Sequence, residues 1–258
     1  MKYLMIVVAL CLAAPTFLSA QDQYLPVSTS SEAAKAAYIE ALQASEHADI
    51  PAFFDGMNTA VKTDPDFFMA YAYLALAQTS FGQYEKAAPH IKSALAIDAA
   101  SLNKSERILR KALQTLDKEP EADIAAHMAP LTEAYPQNTQ AYELAAVTAS
   151  WISKDPQAAA AYNLRLLELR PDHGGTYNAL GYNYMALGQM EKAKAAFDKY
   201  LEVSPDEANA YDSMGEYYMN TKDYAKSAEY YDKAATMGMP PAKERAEKAR
   251  AAMAEKGN

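Results

Sequence analysis

A set of side chains recurs in this chain 34 residues apart. Tyr177, Leu180-Gly181, Tyr184, Ala193, Phe197 and Pro205 are followed in the same places by Tyr211, Met214-Gly215, Tyr218, Ser227 and Tyr231. The closing proline of the second set, Pro240, comes one residue late. An earlier set has Tyr71, Leu74-Ala75, Ala87, Ile91 and Ala94 in the same register. Apolar positions three and four apart within each set mark amphipathic helices. A fixed period of this length marks a stack of hairpins that bury their apolar faces on one another. Mid-helix glycine costs about 0.5–1 kcal/mol relative to alanine. Gly181 and Gly215 therefore predict a close approach of the second helix, near Ala193 or Ser227.

The prolines carry the register further. Pro136, Pro171, Pro205 and Pro240 are spaced by 35, 34 and 35, and Pro65 lies about two units before Pro136. Six hairpins are expected between residues 31 and 241. The third, Leu102 to Tyr135, and the fourth, Asn138 to Arg170, are degenerate. The fourth has Tyr142, Ala145-Ala146 and Ala149, and it needs a one-residue slip before Tyr162. Helix starts are read at Asn103 with Glu106 (a capping box), at Asp64-Pro65, at Asp155-Pro156 and at Ser204-Pro205-Asp206-Glu207. Gly82 and Gly188 are expected to end first helices in a left-handed conformation.

These spacings resemble the tetratricopeptide repeat (TPR) family, with Tyr177 in place of its leading tryptophan. The resemblance implies an all-α fold, a right-handed α-solenoid of about six helix-turn-helix hairpins with a C-terminal capping helix. In that family the first helix of each hairpin lines a concave groove. Carried onto this chain, the groove positions are Ala72, Leu76 and Thr79 in the second unit, Asn178, Tyr182 and Met185 in the fifth, and Asp212, Glu216 and Met219 in the sixth. Such a groove would be apolar near the fifth unit and acidic near the sixth, suited to a segment bearing some positive charge. Tyr182 and Met185 have a second reading as contacts to a neighbouring helix. Trp151, the single tryptophan, either closes the fourth hairpin or faces the groove as an anchor. The family's chaperone-tail clamp needs cationic groove residues, and Asp212 and Glu216 stand where they would be.

The ends read differently. Lys2, the apolar run Tyr3 to Ala14 and the small residues before Gln21 have the form of a cleavable export signal over residues 1–20. An uncut anchor is the alternative. Residues 21–30 read as a linker. Residues 242–258 hold five Lys/Arg and three Glu. They read as a polar end cap, with a basic contact arm as the alternative. Cys11 is the only cysteine, so removal of the signal leaves a chain with no thiol and no disulfide. The formal charge of −9 makes nucleic acid and anionic membranes poor partners. No stable membrane span is expected once the signal is removed.

Catalytic signals are weak. The four histidines, His47, His90, His127 and His173, lie about 40 residues apart, with no His-Glu-x-x-His pair. Each is read as a surface residue. Ser101-Leu102-Asn103-Lys104 fits the Ser-x-x-Lys pattern but lacks its companion motifs. The expectation is a non-catalytic scaffold, exported to the periplasm or secreted, holding a protein or peptide partner without cofactor or metal. The alternative is an accessory or regulatory subunit of an exported enzyme. The segment Tyr211 to Glu216 is similar to TPR tails found on some exported serine hydrolases.

Overall fold

A computed structural model describes residues 23–46 and 49–256. The expected signal, residues 1–20, and His47 lie outside them. Among the described residues there are thirteen α-helices and no strands. The first hairpin is α1 (Glu32–Glu46) with α2 (Ile50–Thr63), and the second is α3 (Phe68–Ser80) with α4 (Tyr84–Ala96). The third has α5 (Lys104–Lys118), a 3-10 turn at Ala125–His127 and a short α6 (Ala129–Ala134). The fourth has α7 (Thr139–Val147), which runs into a π-helical turn at Thr148–Ile152, and α8 (Pro156–Leu169). The fifth pairs α9 (Gly174–Ala186) with α10 (Met190–Val203), and the sixth pairs α11 (Ala208–Asn220) with α12 (Tyr224–Thr236). Helix α13 (Pro240–Lys256) closes the stack. No described helix is long and apolar enough to cross a membrane.

The expected close approaches are present. A Cβ on Gly181 would lie 2.5 Å from the ring of Phe197, and one on Gly215 would lie 2.7 Å from the ring of Tyr231. The partner of the glycine is thus an aromatic ring one turn beyond Ala193. At the sixth hairpin Ser227 also approaches, donating to the Gly215 carbonyl at 2.9 Å. Gly82 and Gly188 follow α3 and α9 with φ of +67° and +70°, where a side chain would be strained.

Two of the helix starts fall elsewhere. Ser204 ends α10, and Glu207 precedes α11. Asp64 ends α2, and its carboxylate accepts the Asp66 amide at 3.0 Å. In both cases the residue before proline is driven out of the helical region, so it stops the previous helix. The other two hold. Asp155 accepts from Gln157 and Ala158 at the start of α8, and Asn103 and Glu106 form the full capping box of α5.

The slip in the fourth hairpin has a structural cause. Tyr142 and Ala145 precede Tyr177 and Leu180 by 35 residues, whereas buried Ala159, Asn163 and Leu166 precede Ala193, Phe197 and Tyr200 by 34. The extra residue is absorbed by the π-helical turn, where the Ser153 amide reaches the Thr148 carbonyl five residues back at 2.9 Å. Asn163, and not Tyr162, occupies the place of Phe197.

The largest departure is at residues 23–30. Read as a linker, this stretch is an extended strap packed along the first four hairpins. Leu25 is 3% exposed within a continuous core that includes Tyr38, Met57, Phe67, Leu109 and Ala145. The strap's polar groups are taken up by side chains distant in sequence. Buried Glu106 accepts the amide and hydroxyl of Ser28, both at 2.9 Å. Asn103 and Ser105 donate to the Pro26 carbonyl. Buried Gln140 accepts the Leu25 amide and gives its own NH2 to the hydroxyls of Tyr38 and Tyr73. Extended backbone in a core must find such partners, since each orphaned amide there costs about 1–3 kcal/mol.

Helix α13 packs as a cap. Ala242 and Ala246 are buried against Tyr231 and Ala234 of α12. Its arginines turn back onto the last hairpin, Arg245 to Asp212 at 2.6 Å and Arg250 to Asp232. Packing of this kind supports the cap over the free basic arm.

Candidate functional site

An apolar groove of about 260 Å³ lies between hairpins one, two and four. Its floor is Leu42 of α1, Phe53 of α2, and Tyr73, Leu76 and Ala77 of α3. Its far wall is Leu144, Val147 and Thr148 of α7, and Trp151 in the π-helical turn. That turn brings hairpin four against α3, across the shortened third hairpin. Four of the six large exposed apolar side chains among the described residues stand at this groove: Trp151 at 66% exposure, Phe81 at 54%, Val147 at 46% and Ile50 at 39%. Exposed apolar side chains scattered singly need no explanation, but a cluster around a cleft marks an interaction surface.

The mouth carries charge. Arg170, at the end of α8, lies 3.1 Å from Glu46 and 3.7 Å from Glu143. The strap side chain Gln23 also donates to Glu46, at 3.2 Å. Burial raises the Glu143 carboxyl to about 7, helped by the Glu46 charge and opposed by Arg170. Glu143 Oε1 has no hydrogen-bond partner among the described residues.

The positions named from the repeat pattern divide between several places. Leu76 and Trp151 line this groove. Trp151 stands at the rim, largely exposed. Ala72 and Thr79 are buried in the core, and the Thr79 hydroxyl donates to the Ala75 carbonyl in its own helix. Asn178 is half-buried. Tyr182 is half-buried, meets Phe197 edge-on, and donates to Glu216 at 3.0 Å. Met185 packs with Tyr182 against the small cluster of Phe197 and Met214. Asp212 is 4% exposed, and burial raises its carboxyl despite Arg245 beside it. Met219 is half-buried. Of the two acids named there, Asp212 pairs with Arg245 through Oδ2 and Glu216 accepts from Tyr182.

Sequence reasoning passed over Phe81, Val147 and Glu143. Phe81 lies one residue past α3, beside the turn glycine, where the repeat pattern assigns nothing. Val147 and Glu143 lie in the degenerate fourth unit. The need for a register slip there was the available signal.

The remaining chemistry-bearing residues are tied into structure. His173 precedes α9 with Nδ1 2.6 Å from the Thr176 hydroxyl, and burial lowers its pKa. His127 Nε2 is 3.0 Å from the Thr115 hydroxyl. His90 is partly buried near Tyr71, and burial lowers its pKa. The Ser101 hydroxyl donates to the Asp98 carbonyl in an exposed turn. Among the described residues no group of three or more His, Cys, Asp or Glu is placed to hold a metal.

The family model for the tetratricopeptide repeat matches residues 178–241. No curated protein matches the chain. Among solved structures, YrrB, a TPR protein with an unusual peptide-binding site, is 19% identical, with a TM-score of 0.47 over 75% of this chain and 97% of its own. TTC0263, a thermophilic TPR protein of Thermus thermophilus, is 16% identical, with a TM-score of 0.46 over 86% and 99%. A MamA protein is 17% identical, with a TM-score of 0.39 over 80% and 92%.

Proposed function

Taking the chain as one that carries tetratricopeptide repeats, matched at residues 178–241, we propose that it is a non-catalytic scaffold that holds a protein or peptide partner outside the cytoplasm. The groove between hairpins one, two and four is the docking surface. The observation that carries this reading is the exposed apolar set Ile50, Phe81, Val147 and Trp151 around one cleft. Aromatic anchors beside a pocket supply most of the energy of such contacts. Export rests on the signal-like residues 1–20, and the mass of the chain recovered from an envelope fraction tests it.

Capture from that fraction tests the docking surface. Phe81→Ala with Trp151→Ala should release the bound partners, at a loss of about 2 kcal/mol or more. Retention of every partner by that variant, with loss in Tyr182→Ala and Glu216→Lys, would move the site to hairpins five and six.

A further inference from the structure

The groove is apolar nearly throughout, and its polar groups are mostly spoken for. The Ser45 hydroxyl donates to the Leu42 carbonyl at 2.7 Å, and that of Ser80 to the Leu76 carbonyl at 2.8 Å. The Tyr73 hydroxyl is held by Gln140 at 2.6 Å. The exception is Glu143. Its Oε1 faces Arg170 at 3.7 Å, beyond hydrogen-bond length, and has no other partner among the described residues. Arg170 sits closer to Glu46, which also holds Gln23. Two carboxylates therefore share one guanidinium at the mouth. A carboxylate short of donors is costly, and because the Glu143 side chain is 32% exposed, a donor arriving at the mouth can pair with its accessible side.

The size of the cleft limits what can bring that donor. About 260 Å³ falls below the ~300–1,000 Å³ typical of pockets that enclose a whole small molecule. It suits one or two inserted side chains, with the rest of the ligand lying outside on Phe81, Val147 and Trp151. An indole face at the rim also attracts cations.

We infer that the groove takes a peptide segment in which an apolar anchor is flanked by a lysine or arginine, the anchor filling the cleft and the cation pairing with Glu143. This rests on the groove being the docking surface, and the test separates the two. The probes are acetylated, amidated hexapeptides Gly-Phe-Leu-Gly-Xaa-Gly with Xaa as Lys, Gln or Glu. Binding to the full chain is read from the fluorescence of Trp151, the only tryptophan, at pH 8 and low salt.

The expected order is Lys over Gln over Glu. The lysine peptide should bind about tenfold more tightly than the glutamine peptide, as for one charge-assisted hydrogen bond. Glu143→Gln should bring that ratio near one, and the charge series reads the same preference in the unaltered chain. Equal binding of all three peptides would overturn the inference and keep the groove. Failure of all three to bind would overturn both.

Discussion

In hairpins five and six a small residue on the first helix meets a ring on the second, Gly181 with Phe197 and Gly215 with Tyr231. The clusters there are small, and one of them joins Leu180 and Ala196 to Ala160 of hairpin four. Hairpins one to four share one continuous core that also holds the strap residue Leu25. Their repeat is broken by the short α6, the π-helical turn and Asn163 in a position that Phe197 fills in the next unit. The regular half closes its own surfaces, pairing Asp212 with Arg245 and Glu216 with Tyr182. The irregular half leaves Phe81, Val147 and Trp151 exposed around a cleft. In this chain the departures from the repeat coincide with the exposed apolar cleft.

Substitutions in the two halves should therefore act over different ranges. Leu25→Ala removes a buried anchor and should cost about 2–5 kcal/mol. In a stack that couples only through neighbours, the loss should appear in hydrogen exchange of hairpins one to four and leave hairpins five and six protected. Uniform loss of protection would erase the distinction between the halves.

Gly181→Leu forces a side chain into the Phe197 ring and should cost at least ~1–3 kcal/mol in denaturant unfolding. Phe197→Ala in the same background should recover part of it, because the two share one contact. An unchanged melt for Gly181→Leu would mean that the regular half is not packed on that ring.

The smallest expected effect is a dependence on pH at the groove. Glu143 stands near 7 when folded, above an ordinary value of 4.5. Between those values the folded chain binds the extra proton. Its contribution to stability is complete below about pH 4.5 and is lost as pH rises through 7. His90 and His173 are lowered by burial, so their contributions run the other way and are lost as pH falls. Comparison of the parent with Glu143→Gln isolates the carboxyl. The variant should gain about 1 kcal/mol on the parent between pH 5 and 8, allowing for solvent near the mouth. A constant difference across that range would remove Glu143 from the buried charges.

Much of this architecture was legible in the sequence, and the reasons are local. Tyr177, Gly181, Ala193 and Phe197 recur because stacking needs small against large at fixed spacing. The turn glycines and the capping box at Asn103 announce themselves by conformation. The strap was not legible, because Tyr24, Leu25 and Val27 are a short apolar run broken by Pro26 and followed by Ser28, Thr29 and Ser30, with no helical or repeat period. Its partners Glu106 and Gln140 lie about 80 and 115 residues away. The groove was half legible. Leu76 and Trp151 stood out by register and by residue type, but the π-helical turn that carries Trp151 to its place showed only as a slip in the count.

The difference between the halves meets its most direct test in paired photo-crosslinking. A benzophenone side chain is placed at Val147 in one variant and at Met219 in another, and each is irradiated in an envelope fraction. The account predicts that a partner adduct forms at position 147, that prior Trp151→Ala abolishes it, and that none forms at 219. An adduct at 219 with none at 147 would place binding in the regular half and contradict the account.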